Sequence, residues 1–484
     1  MKSLLFIRGG GKKMEKACTT ILVGKKASID GSTMIARNDD TFLPLTPQRF
    51  VMRPASKKSA GKLVSNQNGF TAELPAKNFR YTATPNADVE HEGIFEESSI
   101  NEKNVAMSAT ESVYGNERAL AYDPWVPNGL AEDSLQTMVA PYIESARGGV
   151  QYLGKLIAEY GSPEGNGVLF SDKNEVWYME IVTGHHWAAT RIPDDAYAVA
   201  ANQVAQQQIN FNDGDNYLWS EGIQDFVSQH HLNPDKEGWN FRHIFGTDTK
   251  KDRHYNTPRV WFGQHYLSPS IEQNPMSSEL PFVCHAEQLI GVKDLEYVLS
   301  SHYNETKYDP LGNGCEADRL KFRPISLNRT QNSHILQIRN NVSSEYAALM
   351  WICFGVPSFA PYVPFYTNAN DTDSSWSETP LEYDVQSAYW MYRTLSMLVE
   401  SHHAEFIQDD LDYLKDCREA QLRLLDKIDD TASNKKGEAL TAFLTQQNYQ
   451  IAAAMRTKAM KMIGHFVTKG LTLSKLTFNM DKNL

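Results

Sequence analysis

Few side chains can attack a carbonyl at neutral pH, and one of them stands early in this chain. Cys18 opens the β-rich run Cys18-Thr19-Thr20-Ile21-Leu22-Val23. After a turn ending in Asp30-Gly31, a second β-rich run leads into Arg37-Asn38-Asp39-Asp40. Two such runs around an Asp-Gly turn read as a hairpin, which carries the charged quartet back to the cysteine. The chemistry this allows is that of an N-terminal nucleophile. A thiol ionises near about 8.5 and an α-amino group near about 7.7–8.0. Cleavage of the bond before Cys18 would therefore set a usable base beside the nucleophile. A nearby arginine stabilises thiolate, and a carboxylate can hold and orient the ammonium form. A side-chain amide can donate to the oxyanion, where losing one donor typically costs about 100- to 1,000-fold in rate.

The elements that must position these groups read mainly as strands. Residues 105–109 form a strand ending in Thr110-Glu111-Ser112. Residues 167–170 and 175–181 flank the turn at 171–174, and 187–191 and 196–201 continue the sheet pattern. Late strands are expected at 335–339 and 347–354. Strands joined by hairpin turns argue for antiparallel sheets rather than a doubly wound parallel one. The stretch 133–160 has helical spacing, with breaks expected at Pro141 and at Gly148-Gly149, so it reads as two or three short helices. Short helices are also expected within 205–280. From Tyr383 the texture becomes helical, over 387–417, 418–429 and 436–463.

Composition narrows the function. The 484 residues carry 47 Lys+Arg against 59 Asp+Glu, a formal net charge of −12. That balance disfavours nucleic acid and anionic membrane as partners, since both require a basic face. No apolar run approaches the roughly 18–20 residues that span a bilayer. The five cysteines are scattered with no CxxC spacing, which suits a reducing cytoplasm better than a disulfide framework or a zinc site. His185-His186 and His402-His403 are adjacent pairs, which do not share a face on a strand or a helix, and no HExxH is present. No metal and no cofactor are expected, and the glycine runs fit neither a P-loop nor GxGxxG. The codons for Arg8-Gly9-Gly10-Gly11-Lys12-Lys13 would resemble a ribosome-binding site, predicting that translation starts at Met14 and that 1–13 is a start-site artefact.

Cys18-Thr-Thr-Ile-Leu-Val followed by Asp30-Gly-Ser-Thr-Met-Ile-Ala-Arg-Asn-Asp-Asp40 resembles the cysteine dipeptidases of peptidase family C69, the dipeptidase A type of lactic-acid bacteria. The resemblance implies an α+β fold, the N-terminal nucleophile hydrolase αββα sandwich of two antiparallel sheets. It implies a leader at 1–17, a catalytic domain over 18–382, and a helical region over 383–484 packed on the same domain. Cys18 then corresponds to the nucleophile, and Arg37 and Asp40 to the Arg and Asp of an Arg-Asn-x-Asp motif. Asn202, in Ala200-Ala-Asn-Gln203, corresponds to the oxyanion-hole Asn, and Arg259, in Thr257-Pro-Arg-Val260, to a second active-site Arg. Arg37 and Arg259 would tune the thiolate and Asp40 would position the amine. Where related acylases carry an Asn or Tyr, this chain has Thr110-Glu111-Ser112, so a backbone N–H is the alternative second oxyanion donor. The implied activity is cytoplasmic hydrolysis of a broad range of dipeptides through a thioester. A non-peptide amidase of bile salt hydrolase or penicillin V acylase type, and a catalytically silent binding relative, stay open as alternatives. The helical region is left to close the cleft or to build a homo-oligomer interface.

Overall fold

Every residue of Thr19–Val23 and of Thr33–Asp40 is buried, the mark of strands in a sheet covered on both faces. The computed structural model describes residues 17–58, 61–111 and 113–476, without the side chains of Thr110 and Glu111. The expected leader lies outside the described residues except for Ala17. In chain order the strands are β1 (Thr19–Val23), β2 (Thr33–Asp40), β3 (Val51–Arg53), β4 (Lys62–Val64), β5 (Thr71–Glu73) and β6 (Tyr81–Ala83). They continue as β7 (Ser98–Ile100), β8 (Ala106–Glu111), β9 (Asn166–Ser171), β10 (Val176–Ile181), β11 (Trp187–Ile192) and β12 (Tyr197–Ala200). The last are β13 (Tyr217–Trp219), β14 (Val283–Cys284), β15 (Thr330–Ile338), β16 (Ala348–Phe354) and β17 (Val363–Tyr366).

Two sheets form the body. One runs β14-β12-β1-β2-β15-β16-β17 and the other β13-β11-β10-β9-β8-β7, and every neighbouring pair in both is antiparallel. The β3–β6 and β4–β5 pairs are small and separate. The helices Glu132–Val139 and Ala146–Tyr160 cover the second sheet, with Leu135, Val150, Leu153 and Ile157 packed among Val168, Phe170, Met179 and Ile181. The first sheet is covered by Ala388–Ser401, His403–Ala432 and Gly437–Thr472, whose Leu395, Phe406, Leu425, Leu444, Met455 and Phe466 share a core with Met350 and Ile352. The result is the expected αββα sandwich of antiparallel sheets. The edge strand β17 does not stay open. Asn448 donates to the carbonyl of Tyr366 and accepts from its N–H, both at 2.9 Å, which blocks edge pairing with another chain.

Two helix boundaries differ from expectation. Gly148-Gly149 does not break a helix but lies in the first turn of Ala146–Tyr160, which Ser145 caps by accepting from Gly148 N–H. Gly149 is there for packing, because an added Cβ would sit 2.6 Å from the Phe170 ring. The late helical break falls at His402 rather than at 417–418, and His403–Ala432 runs through unbroken.

Gly149→Leu is expected to lower stability in urea unfolding by about 1–3 kcal/mol through overpacking against Phe170. The opposing gain in helix propensity is below about 1 kcal/mol. An unchanged or raised midpoint would show that the helix can step away from the sheet.

Candidate active site

Strand register assembles the site. Thr19 lies opposite Asn38 and Thr20 opposite Arg37. Continued back to Ala17, this register sets Cys18 beside Asp39 and Ala17 beside Asp40, and Ala17 N–H donates to the Asp40 carbonyl at 2.9 Å. On the other edge Thr20 faces Ala200, which brings Asn202 level with Cys18. Alternation then puts Cys18, Arg37 and Asp39 on one face of the sheet and Thr19, Asn38 and Asp40 on the other.

The first face looks into the sandwich. Cys18 is buried, and Arg37 Nη1 lies 3.4 Å from its sulfur. Arg37 Nη2 donates to the Glu97 carbonyl at 3.1 Å and pairs with the Glu97 carboxylate, while Nη1 faces Glu132 Oε1 at 3.5 Å. Glu97 precedes β7 and Glu132 begins the helix Glu132–Val139, so both carboxylates come from the second sheet's side. Burial pushes the Cys18 thiol up to about 12, with Arg37 pulling the other way. Burial also works against the Arg37 charge, yet the carboxylates around it, Glu97 foremost, push its pKa up and hold the guanidinium protonated. His334, opposite Arg37 on β15, is kept neutral by burial and by that cation. Its ring bridges Ser108 Oγ at 2.9 Å and Asn332 Oδ1 at 2.8 Å.

The second face is served by two more arginines. Arg259 lies in the first turn of helix Thr257–Leu267, which follows a π-helical turn at Asp252–Asn256. Gly263 lets that helix approach β12, since a Cβ there would sit 2.9 Å from Val199. Arg259 Nε donates to the Tyr255 carbonyl at 2.7 Å. Nη1 donates to the Cys18 carbonyl at 2.6 Å and Thr19 Oγ1 at 2.9 Å, and Nη2 to Asn202 Oδ1 at 2.8 Å and Asn256 Oδ1 at 2.7 Å. These contacts use all of its donors. Arg259 thus belongs to the site, but it holds the Cys18 carbonyl and not the thiol it was expected to tune. By fixing Asn202 Oδ1 it also sets the orientation of that amide. Burial and the neighbouring Arg323 lower the Arg259 pKa to about 10, so it stays charged at neutral pH.

Arg323 and Asn38 complete this side. Arg323 Nη2 pairs with the Asp40 carboxylate and donates to the Ala17 carbonyl at 3.3 Å. Thr330 Oγ1 donates to the other Asp40 oxygen. Asn38 Nδ2 donates to the carbonyls of Leu299 at 2.8 Å and Ile325 at 3.2 Å, tying β2 to the loop that carries Arg323. The five residues singled out in the sequence are therefore brought together at and around Cys18. Sequence reasoning missed Glu97, Glu132, Asn256 and Arg323; Glu97 and Arg323 sit in segments with no periodic or motif signal, and Glu132 and Asn256 lie just outside the helical stretch and the Arg259 motif that were read. Ser112 and the side chains of Thr110 and Glu111, the expected place of a second oxyanion donor, lie outside the described residues. Among the described residues no group of three or more His, Cys, Asp or Glu is arranged to hold a metal ion.

In protein that retains Ala17, alkylation of Cys18 by iodoacetamide is expected to rise about tenfold per pH unit from about pH 7 to about pH 10 without a plateau. Below a raised thiol pKa the thiolate fraction grows in step with hydroxide. A plateau near pH 8.5 would contradict the raised thiol.

The profile of peptidase family C69 matches residues 17–416. A probable dipeptidase of Latilactobacillus sakei is 57% identical over 97% of this chain and 98% of its own. A probable dipeptidase B of Lactococcus lactis subsp. lactis is 45% identical over 96% and 98%. Dipeptidase A of Lactobacillus helveticus is 37% identical, also over 96% and 98%. A solved conjugated bile acid hydrolase from Clostridium perfringens has 9% identity and a TM-score of 0.26, over 69% of this chain and 88% of that chain, and the fold assignment rests on strand order alone. No helix among the described residues is long and apolar enough to cross a membrane. With a family profile spanning most of its length and relatives aligned nearly end to end, the chain belongs to peptidase family C69.

Proposed function

We propose that this protein is a cysteine dipeptidase whose nucleophile is Cys18, freed as the N-terminal residue when the Ala17–Cys18 bond is cut by the protein itself. The observation that carries the reading is the double hold on one residue: Arg37 on the Cys18 sulfur at 3.4 Å and Arg259 on its carbonyl at 2.6 Å. A buried guanidinium set against the sulfur is unexpected for a cysteine serving only as a small hydrophobe. The relatives' names support the dipeptide as substrate.

In the mature form the Cys18 α-amine takes the thiol proton, directly or through water. Sγ attacks the substrate carbonyl, and the Asn202 amide and a backbone N–H receive the oxyanion. The leaving amino acid takes the proton from the α-ammonium, and the first amino acid remains on Cys18 as a thioester. Water, activated by the same amine, then releases it. Arg37 supplies the charge that offsets thiolate formation in a dry site, and Asp40 with Arg323 holds the strand end that carries the amine. The reading includes a broad range of dipeptide side chains as substrates. A cytoplasmic location accords with five unpaired cysteines.

Assay of a dipeptide panel against N-acyl amino acids and penicillin V tests the reading. Dipeptides are expected to turn over, Cys18→Ala to fall to the uncatalysed background, and Asn202→Ala to lose about 100- to 1,000-fold in kcat. Activity confined to the non-peptide amides, or dipeptide turnover surviving in Cys18→Ala, would refute it.

A further inference from the structure

We propose that Arg323 is a catalytic residue of leader removal, donating to the oxyanion that forms on Ala17 when Cys18 Sγ attacks the carbonyl carbon before it. This rests on the reading of Cys18 as an N-terminal nucleophile and names the group that drives its exposure. Arg323 Nη2 lies 3.3 Å from the Ala17 carbonyl oxygen, the atom on which charge must build. Both terminal nitrogens of the guanidinium are anchored. Nη1 donates to the carbonyls of Pro324 at 2.7 Å and Ile325 at 3.2 Å, Nη2 pairs with Asp40, and the plane lies over the Tyr255 ring at 5.2 Å. A donor fixed in advance costs no reorganisation when the charge appears.

The peptide groups on either side of the scissile one are held as well. Ala17 N–H is on the Asp40 carbonyl at 2.9 Å, and the Cys18 carbonyl is on Arg259 at 2.6 Å. The other two arginines are committed elsewhere, Arg37 to the sulfur and the glutamates, Arg259 with all five N–H groups to other acceptors. The step balances without an external reagent other than water. A bond forms between Sγ and the Ala17 carbonyl carbon, and the carbonyl π electrons move onto the oxygen facing Arg323. Collapse breaks the bond to Cys18 N, which receives the thiol proton through water. Water then hydrolyses the Ala17 thioester, giving the leader a carboxylate and returning the thiol beside a free α-amine.

The test follows leader loss by intact mass after synthesis of the full chain. Wild type is expected to lose everything through Ala17. Arg323→Gln is expected to do so at least about 100-fold more slowly. Arg323→Lys keeps a cation against Asp40 but loses the planar fork, and it serves if the neutral variant does not fold. It is expected to be slowed at least about tenfold. A chain begun at Met-Cys18, in which host removal of the initiator exposes Cys18 directly, carries the same Arg323→Gln change. It is expected to hydrolyse a dipeptide at least about tenfold faster than the Arg323→Gln precursor. Leader loss at the wild-type rate in the variants would overturn the proposal. So would a bypass chain as inactive as the variant precursor, because Arg323 would then act in the fold or in turnover. A wild type that keeps Ala17 while hydrolysing dipeptides would instead defeat the N-terminal nucleophile reading itself.

Discussion

Three buried guanidinium groups converge on Cys18 and the carbonyl of Ala17 before it, and the rest of the fold is arranged so that they can stay charged there. A buried cation is tolerated only where acceptors meet its hydrogen-bonding groups. Arg37 has Glu97 and Glu132, Arg323 has Asp40 and two carbonyls, and Arg259 has five neutral oxygens. The three differ in what they can do. Of the three, Arg37 reaches the sulfur, and it opposes part of the burial that pushes the thiol up. Arg259 and Arg323 grip the carbonyls on either side of the Cys18 backbone nitrogen.

The sandwich supplies these contacts by stacking layers rather than by folding a loop over the site. Cys18 and Arg37 sit on adjacent central strands, and their side chains enter the gap between sheets, where the second sheet's Glu97 and the helix-borne Glu132 meet them. From the opposite face the helix Thr257–Leu267 leans on β12, close enough that Gly263 has no room for a side chain. Asn38 fastens the loop carrying Arg323 to β2 itself. On the proposed function, chemistry and stability are therefore carried by the same strands. Substitutions in β1 and β2 will affect both, and processing and turnover must be measured apart from folding.

Much of this was legible in the sequence, for reasons that differ by residue. The hairpin around Asp30-Gly31 and the quartet at 37–40 declare themselves locally, through strand periodicity and a turn signal. Antiparallel sheets followed from strands joined by short turns. Asn202 and Arg259 were reached through the family likeness, since nothing in their own neighbourhoods marks them as functional. Glu97, Glu132 and Arg323 were not reached at all. Each meets its partner across 60 to 283 positions of chain, and an isolated charge in a loop or at a helix start looks like surface until the sheets are stacked. The glycine pair at 148–149 misled for a related reason: its meaning is the nearness of Phe170, a tertiary fact. The break at His402 was missed because apolar spacing is equally helical on both sides of it.

The central claim is that Cys18 is at once the first residue of the mature chain and the carrier of the acyl group. One measurement addresses both: peptide mapping by mass after rapid acid quench of the purified protein with a saturating dipeptide. The account predicts an N-terminal peptide that begins at Cys18 and carries the mass of the substrate's first amino acid on sulfur. An unmodified peptide extending through Ala17, recovered while the dipeptide is being consumed, would contradict it.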